Sequence, residues 1–215
     1  MDNYNKTLLN INIKKLPFYN FFTSRYSMTV KVNAKNTYDY SKNNNISFFN
    51  LCEAVILQGL NEIPEFKRRI INNKVYEYNK INAVSPILQE DNSILELEIE
   101  PLSNFNSFKE WNDNLKIKKE NCNKYQYTIN PELRDTLPIS NLSCLPWLNF
   151  DSMTNIIERP HQIMPVISWG KLVNGKIPIS LTANHLFVYG YHFKLFYETI
   201  EKYLDNPHLI TTKKF

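Results

Sequence analysis

His185 closes an apolar run, Lys176 to Ala183, and precedes a helical pattern that begins near Gly190. A histidine at a strand-to-helix junction lies at the edge of an element, where a ligand can reach it. The residue type serves acid–base catalysis or metal ligation, although the commoner role of a lone histidine is a structural hydrogen bond. His192 follows seven residues later, on the helix itself, and no third ligand accompanies the two. A metal pair is therefore rejected. His161 and His208 read as ordinary loop histidines.

The remaining familiar chemistries are missing from the sequence. The chain has four glycines and contains neither G-x-G-x-x-G nor G-x-x-x-x-G-K, so dinucleotide and P-loop nucleotide binding have no support. It has no H-E-x-x-H motif and no paired cysteine spacing. Cys52, Cys122 and Cys144 are too few and too far apart for a disulfide framework, which points to a reducing cytoplasm. The net charge of +4 is spread along 215 residues and does not suggest a nucleic-acid partner. No run reaches the roughly 18 apolar residues of a membrane span, and the first residues lack the pattern of a secretion signal.

The elements that must position His185 follow from periodicity. Met28 to Asn33 alternates and carries β-branched residues, so it reads as a strand. Ser47 is a candidate N-cap for an apolar helix from Phe48 to Leu60, ending near Asn61. Asn43 to Asn45 form a polar turn, and Lys67 to Arg69 a solvated one. Val75 to Val84 is expected to be a short hairpin turning at Asn79 and Lys80. Ile94 to Glu100 alternates strictly, which predicts a strand, and Phe105 to Lys119 has the spacing of an amphipathic helix. Asn121 to Asp135 shows no period.

Leu137 to Ser152 is apolar but interrupted by Pro146 and Trp147. Gln162 to Trp169 and Lys176 to Ala183 read as strands joined by a turn at Asn174 and Gly175. Phe193, Phe196, Ile200 and Leu204 form one helical stripe that stops at Asn206-Pro207, and residues 211–215 read as a frayed tail. The whole is expected to be one mixed α/β domain spanning 1–215.

Within this framework the stretch Ser140 to Ser152, SNLSCLPWLNFDS, resembles a segment of the chloramphenicol acetyltransferases. There a serine precedes a residue pair, then Pro-Trp, then Phe and often Asp-Ser; here these are Ser143, Pro146, Trp147, Phe150, Asp151 and Ser152. Met164 to Lys171, MPVISWGK, is similar to the family's next strand, and Asn184 to Gly190, NHLFVYG, stands where the family has His-His-x-x-x-Asp-Gly. Phe48 to Arg69 and Lys74 to Glu90 also match in order and spacing, so the resemblance covers nearly the whole chain.

The resemblance implies a two-layer sandwich, a mixed β-sheet covered by helices, assembled as a homotrimer with active sites at the subunit interfaces. It implies acetyl-CoA as co-substrate, no metal, and a small-molecule hydroxyl acceptor. His185 would be the general base, worth about 10²–10⁴ in rate, acting by direct attack of the hydroxyl on the thioester. Ser143 would donate to the oxyanion, contributing roughly 3 kcal/mol. Ser168 would hold a water near the same transition state, with Phe21, Ser24 and Asn155 around the acceptor. Cys144, beside Ser143, would be a packing residue because this chemistry needs no thiol.

Three positions depart from the family pattern. Asn184 replaces the first histidine and Tyr189 replaces the aspartate, while Lys14 stands near the family's N-terminal arginine. Lys14, Tyr189 and Asn184 would then support the loop that carries His185, through a Lys-Tyr hydrogen bond in place of an Arg-carboxylate fork. The polar Ser24, Arg25 and Asn155 imply an altered acceptor pocket. The alternatives are a non-catalytic relative that binds a small molecule or CoA, and a core related to the acyltransferases of 2-oxo acid dehydrogenase complexes. The last is disfavoured because no lipoyl domain or Ala-Pro-rich linker precedes the core.

Overall fold

The computed structural model describes residues 4–128, 130, 132–156, 159 and 162–212. Its centre is a six-stranded sheet of β2 (Arg25–Asn33), β5 (Asn82–Leu88), β6 (Ile94–Ile99), β7 (Ile139–Leu145), β8 (Val166–Gly170) and β9 (Lys176–Asn184), in the order β2-β9-β8-β7-β5-β6. β7 runs parallel to both β5 and β8, and the other pairs are antiparallel. A smaller antiparallel sheet joins β1 (Lys6–Leu9), β4 (Lys74–Tyr78) and β3 (Arg68–Ile71), with β4 in the middle. The fold is α/β.

Strand alternation gives the large sheet two different faces. Leu142, Ile167, Leu181 and Ile179 share one buried face, and they belong to the same core cluster as the helices α2 (Phe48–Glu62) and α4 (Gly190–Asp205). Gly59 of α2 has no room for a side chain, because a Cβ there would come within 2.7 Å of Ile200 Cγ2 on α4. The opposite face carries Ser143, Ser168, Ser180 and Thr29 in one row and Asn141, Val166, Thr182 and Ser27 in the next. Segment 153–156 covers part of this polar face: the Ser180 hydroxyl donates to Met153 O at 2.6 Å, and Met153 N–H donates to Thr29 Oγ1 at 3.2 Å.

Local signals account for the helix ends. Ser47 caps α2 by accepting from Asn50 N–H at 3.3 Å, and Ser107 caps α3 (Phe108–Glu120) by accepting from Glu110 N–H at 3.2 Å. The α3 pattern therefore starts at Phe108, and Phe105 belongs to the preceding turn. The Asn174–Gly175 pair, both at positive φ, makes the tight turn into β9, as its residue types require.

Four features differ from the sequence reading. Val75 to Val84 is no hairpin: β4 and β5 belong to different sheets, and Asn79 and Lys80 only connect them. Lys67 to Arg69 is no solvated turn. Arg69 is fully buried, and its guanidinium donates to the carbonyls of Phe66, Arg68, Leu137 and Ile139 at 2.5–2.9 Å. Burial lowers its pKa to about 10, so it stays charged at neutral pH.

The polar stretch Lys35–Asn43 forms a helix, α1, that no hydrophobic stripe announced. Its buried face is Thr37 and Ser41, and it docks by capping the last turn of α4. Thr37 Oγ1 donates to Leu204 O at 2.6 Å and Asn36 Nδ2 to Asp205 O at 3.0 Å. Finally, Thr211 is no fray: it ends α5 (His208–Thr211) and its hydroxyl lies 2.9 Å from that of Tyr40. The tail expected from 213 to 215, and His161, lie outside the described residues.

Candidate active site

Asn184 ends β9, and its side chain builds the turn that presents His185. Asn184 Oδ1 accepts from Leu186 N–H at 2.9 Å, while its main-chain carbonyl accepts from Val188 N–H at 3.0 Å. Its amide donates to Gln162 O at 3.0 Å. Arg25, the register partner of Asn184 on β2, donates to that same Gln162 carbonyl at 2.8 Å and to Met164 O at 2.9 Å. Two side chains from adjacent strands thus tie the turn to the segment leading into β8.

The His185 ring is oriented by aromatic neighbours. Its centroid lies 4.6 Å from that of Tyr26 in a stacked arrangement, 4.2 Å from Phe18, and 5.1 Å from Tyr189, which meets it edge-on. His185 Nδ1 is buried without a hydrogen-bond partner, so packing sets the ring plane. Tyr26 is held by donating to Val188 O at 3.0 Å, and burial raises its phenol to about 12, which keeps it neutral. Ser24 connects these parts. Its carbonyl accepts from His185 N–H at 2.7 Å, and its hydroxyl donates to Phe18 O at 3.0 Å.

The Lys14–Tyr189 hydrogen bond expected from the sequence is not formed among the described residues. Lys14 is exposed in a short turn of 3₁₀ helix, where its main-chain N–H donates to Asn12 Oδ1. Tyr189 instead heads α4, and its N–H donates to His192 Nδ1 at 2.8 Å. That bond puts the His192 proton on Nε2, which lies 3.7 Å from Glu65 Oε2. Burial lowers the His192 pKa, against an opposing pull from Glu65. His192 is a helix cap. No group of three His, Cys, Asp or Glu side chains able to hold a metal occurs among the described residues.

Ser143 and Ser168 stand opposite each other on β7 and β8, on the polar face of the sheet. Ser168 Oγ donates to Asn155 Oδ1 at 2.6 Å; Asn155 Nδ2 donates to Thr182 Oγ1 at 2.9 Å and Val166 O at 3.2 Å. Ser143, Ser168 and Asn155 line a cavity of about 290 Å³. Ser143 also lines a second, more apolar groove of about 550 Å³ with Phe49, Lys119, Pro146 and Trp147. One serine therefore stands in the wall of two cavities. Cys144 beside it faces the groove, where burial pushes its thiol up to about 12 and keeps it from ionising.

The candidate residues fall into two groups within one chain. Ser24, Phe21, Asn184 and Tyr189 gather around His185, with Phe21 57% exposed and edge-on to Phe18 at 5.1 Å. Ser143, Ser168 and Asn155 form the other group. Extended past the strand ends, the registers put His185 level with position 138, just before β7 and five residues from Ser143. That is roughly 16 Å along the strands and about 10 Å across two strand spacings. His185 lines neither cavity. A single chain does not bring His185 and Ser143 together.

The sequence profile of "Chloramphenicol acetyltransferase" matches residues 3–201. The chain belongs to the chloramphenicol acetyltransferase family. A chloramphenicol acetyltransferase of Staphylococcus aureus is 33% identical over 72 residues, 31% of this chain and 33% of that protein. Chloramphenicol acetyltransferase 2 of Escherichia coli is 21% identical over 188 residues, 84% of this chain and 86% of that one.

A solved chloramphenicol acetyltransferase superposes with a TM-score of 0.74 and 26% identity, over 92% of this chain and 100% of that one. The fold extends further: a dihydrolipoamide acetyltransferase of Azotobacter vinelandii has a TM-score of 0.66 at 12% identity, covering 92% and 85% of the two chains. Membership of this family supports acyl transfer as the chemistry of this chain. No helix among the described residues is long and apolar enough to cross a membrane.

Arg25, read from the sequence as a sign of an altered acceptor pocket, is buried and supports the turn through Gln162 O and Met164 O. The available signal was a charged side chain at the head of an alternating strand, opposite the asparagine that precedes His185.

Proposed function

We propose that this family member is an acetyl-CoA-dependent O-acetyltransferase of chloramphenicol or a related alcohol, working as a cytoplasmic homotrimer with shared active sites. The observation that carries the reading is Ser143 in the wall shared by two cavities, together with a histidine of fixed orientation that lies too far away to serve it within one chain. A neighbouring subunit would supply His185 to the polar cavity, and Phe21 would reach the acceptor with it.

In this reading the acceptor alcohol enters the 290 Å³ cavity and the thioester the 550 Å³ groove. His185 removes the hydroxyl proton as the alcohol oxygen attacks the thioester carbonyl. Ser143 donates to the oxyanion of the tetrahedral intermediate, where one such donor is worth about 3 kcal/mol. Collapse breaks the carbon–sulfur bond, and the departing CoA sulfur takes the proton back from imidazolium. Acetyl ester and CoA thiol are the products, with no acyl-enzyme. Ser168, tied to Asn155, has lone pairs left to hold a water near the developing charge.

Replacement of the family's aspartate by Tyr189 does not leave the loop unsupported, because Asn184, Ser24 and His192 each hold it by hydrogen bonds. This favours catalysis over a purely binding role. The deciding experiment is CoA release from acetyl-CoA, with chloramphenicol and then a panel of primary alcohols. Release that requires chloramphenicol assigns a resistance enzyme, and release with another alcohol moves the substrate. No release from a protein that still binds acetyl-CoA overturns the enzymatic reading.

A further inference from the structure

A third cavity, of about 140 Å³, lies where the small sheet meets β6 and β7 of the large one. Its wall includes Tyr4, Lys6, Tyr78, Glu98, Tyr127 and Ile139, and it shares no wall residue with either cavity beside Ser143. Three of these side chains are fixed by hydrogen bonds. Asn82 Oδ1 accepts from the Tyr4 phenol, Asn82 Nδ2 donates to Glu98 Oε1 at 2.5 Å, and the Tyr78 phenol donates to Thr136 O at 3.0 Å. Tyr127 is held through its main chain, whose N–H donates to Glu96 O at 2.6 Å, but its hydroxyl is buried without a hydrogen-bond partner. The Glu98 carboxylate has no ion pair among the described residues. Lys118 reaches only its main-chain carbonyl, at 3.1 Å, and pairs with Glu100 instead. Burial, and after it the nearby Glu98, pushes the phenols of Tyr4 and Tyr127 up to about 12, so both keep their protons.

A buried hydroxyl with no partner beside a carboxylate with no cation is costly unless a ligand supplies the missing donors. Phenol rings attract ammonium groups over their faces. The chain's own lysines follow that rule: Lys6 Nζ lies 4.9 Å from the Tyr76 centroid and 5.8 Å from that of Tyr78, and Lys80 Nζ lies 5.6 Å from that of Tyr4. We propose that this cavity binds a protonated primary alkylamine, whose ammonium donates to Glu98 and to Tyr127 Oη among the phenol rings. The site goes beyond acyl transfer and does not depend on it. An engineered apolar cavity of about 150 Å³ holds benzene, so a chain of about four carbons fits here, against Leu137 and Ile139. An anion would face Glu98, and a neutral alcohol would leave that carboxylate without a cation. A quaternary ammonium keeps the attraction to the rings but has no N–H to give to Tyr127.

The test is an NMR titration of the intact protein, ¹³C-labelled at its tyrosine rings, with n-butylammonium, n-butanol and tetramethylammonium, at an ionic strength held constant with potassium chloride. Butylammonium should shift the Tyr127 ring signals with a Kd on the order of 1 mM, at least about tenfold tighter than butanol. Glu98→Gln keeps the acceptor for Asn82 and should weaken butylammonium by roughly tenfold or more. Tyr127→Phe keeps the ring and removes only the hydroxyl; it should weaken butylammonium about fivefold and leave tetramethylammonium unchanged. Thermal melts check that both variants fold. Butylammonium binding no tighter than butanol, an affinity indifferent to Glu98→Gln, or an equal effect of Tyr127→Phe on both cations overturns the assignment. Binding that appears only in Lys6→Ala also overturns it, because the chain's own lysine then occupies the cavity. CoA release is read separately: turnover without amine binding overturns this site and leaves acyl transfer standing.

Discussion

The carbonyl of Ser24 receives the main-chain N–H of His185 at 2.7 Å, and the hydroxyl of the same serine donates to the carbonyl of Phe18 at 3.0 Å. Phe18 holds a left-handed φ of 67°, unusual for a bulky residue, and its ring packs on the histidine. One buried serine thus fixes both the backbone of His185 and the aromatic wall beside it. The sequence suggested Ser24 as an acceptor contact. In the structure it is 5% exposed and its hydroxyl donates to Phe18 O.

Ser24→Ala removes the hydroxyl but keeps the carbonyl, so Phe18 loosens while the loop remains. The expected loss is about 1 kcal/mol of stability, a fall of roughly 2–4 °C in Tm. Turnover should fall about tenfold with little change in KM for acetyl-CoA. A change confined to Tm would make Ser24 merely structural.

Shared sites make a prediction about mixtures. His185→Ala alone should lower turnover by about 10²–10⁴, and Ser143→Ala by roughly 10². Refolding the two inactive variants together at equal concentration gives interfaces in which one subunit supplies the intact histidine and the other the intact serine. Random pairing produces such interfaces about a quarter of the time, so about a quarter of wild-type activity should return. Recovery of none, or a monomeric mass by light scattering, contradicts the shared site.

His192 gives a pH dependence with a definite sign. Its imidazole accepts from Tyr189 N–H and its pKa is lowered chiefly by burial, so the unfolded chain binds the proton more readily than the folded one. Stability therefore rises with pH through the region below the ordinary value of 6.5, and falls as the solution is acidified from there. Urea midpoints measured from pH 7.5 to 5 should decline, and His192→Asn should flatten that decline. An unchanged slope in the variant would assign the titration elsewhere.

Arg69 tests the assembly of the two sheets. Arg69→Met would take the guanidinium donor from four carbonyls, two of them at the entry to β7, where Leu137 O keeps only the Ile139 N–H. The expected cost is about 3–5 kcal/mol, read as a lower urea midpoint at similar slope. A loss below about 1 kcal/mol would mean that water replaces the guanidinium readily.

Local rules carry much of the architecture. Ser47 and Ser107 as caps, the Asn174–Gly175 turn, the β6 alternation and the Phe193–Leu204 stripe depend on neighbours within a few residues, so the sequence alone specifies them. Even the polar face beneath the site is written in β9, where Ser180 and Thr182 alternate with Ile179 and Leu181. The motif order also identified the family.

Other features were decided by long-range pairing. The segment around Arg69 reads as an exposed basic run until Leu137 and Ile139 supply carbonyls from almost 70 residues away. Helix α1 has no apolar stripe because it docks through hydroxyls on the end of α4. The support expected from Lys14 comes instead from Arg25 and Asn184 converging on Gln162 O. The separation of His185 from Ser143 is likewise invisible in sequence, since strand order and register, which depend on contacts across the whole sheet, set how far apart two motif residues stand.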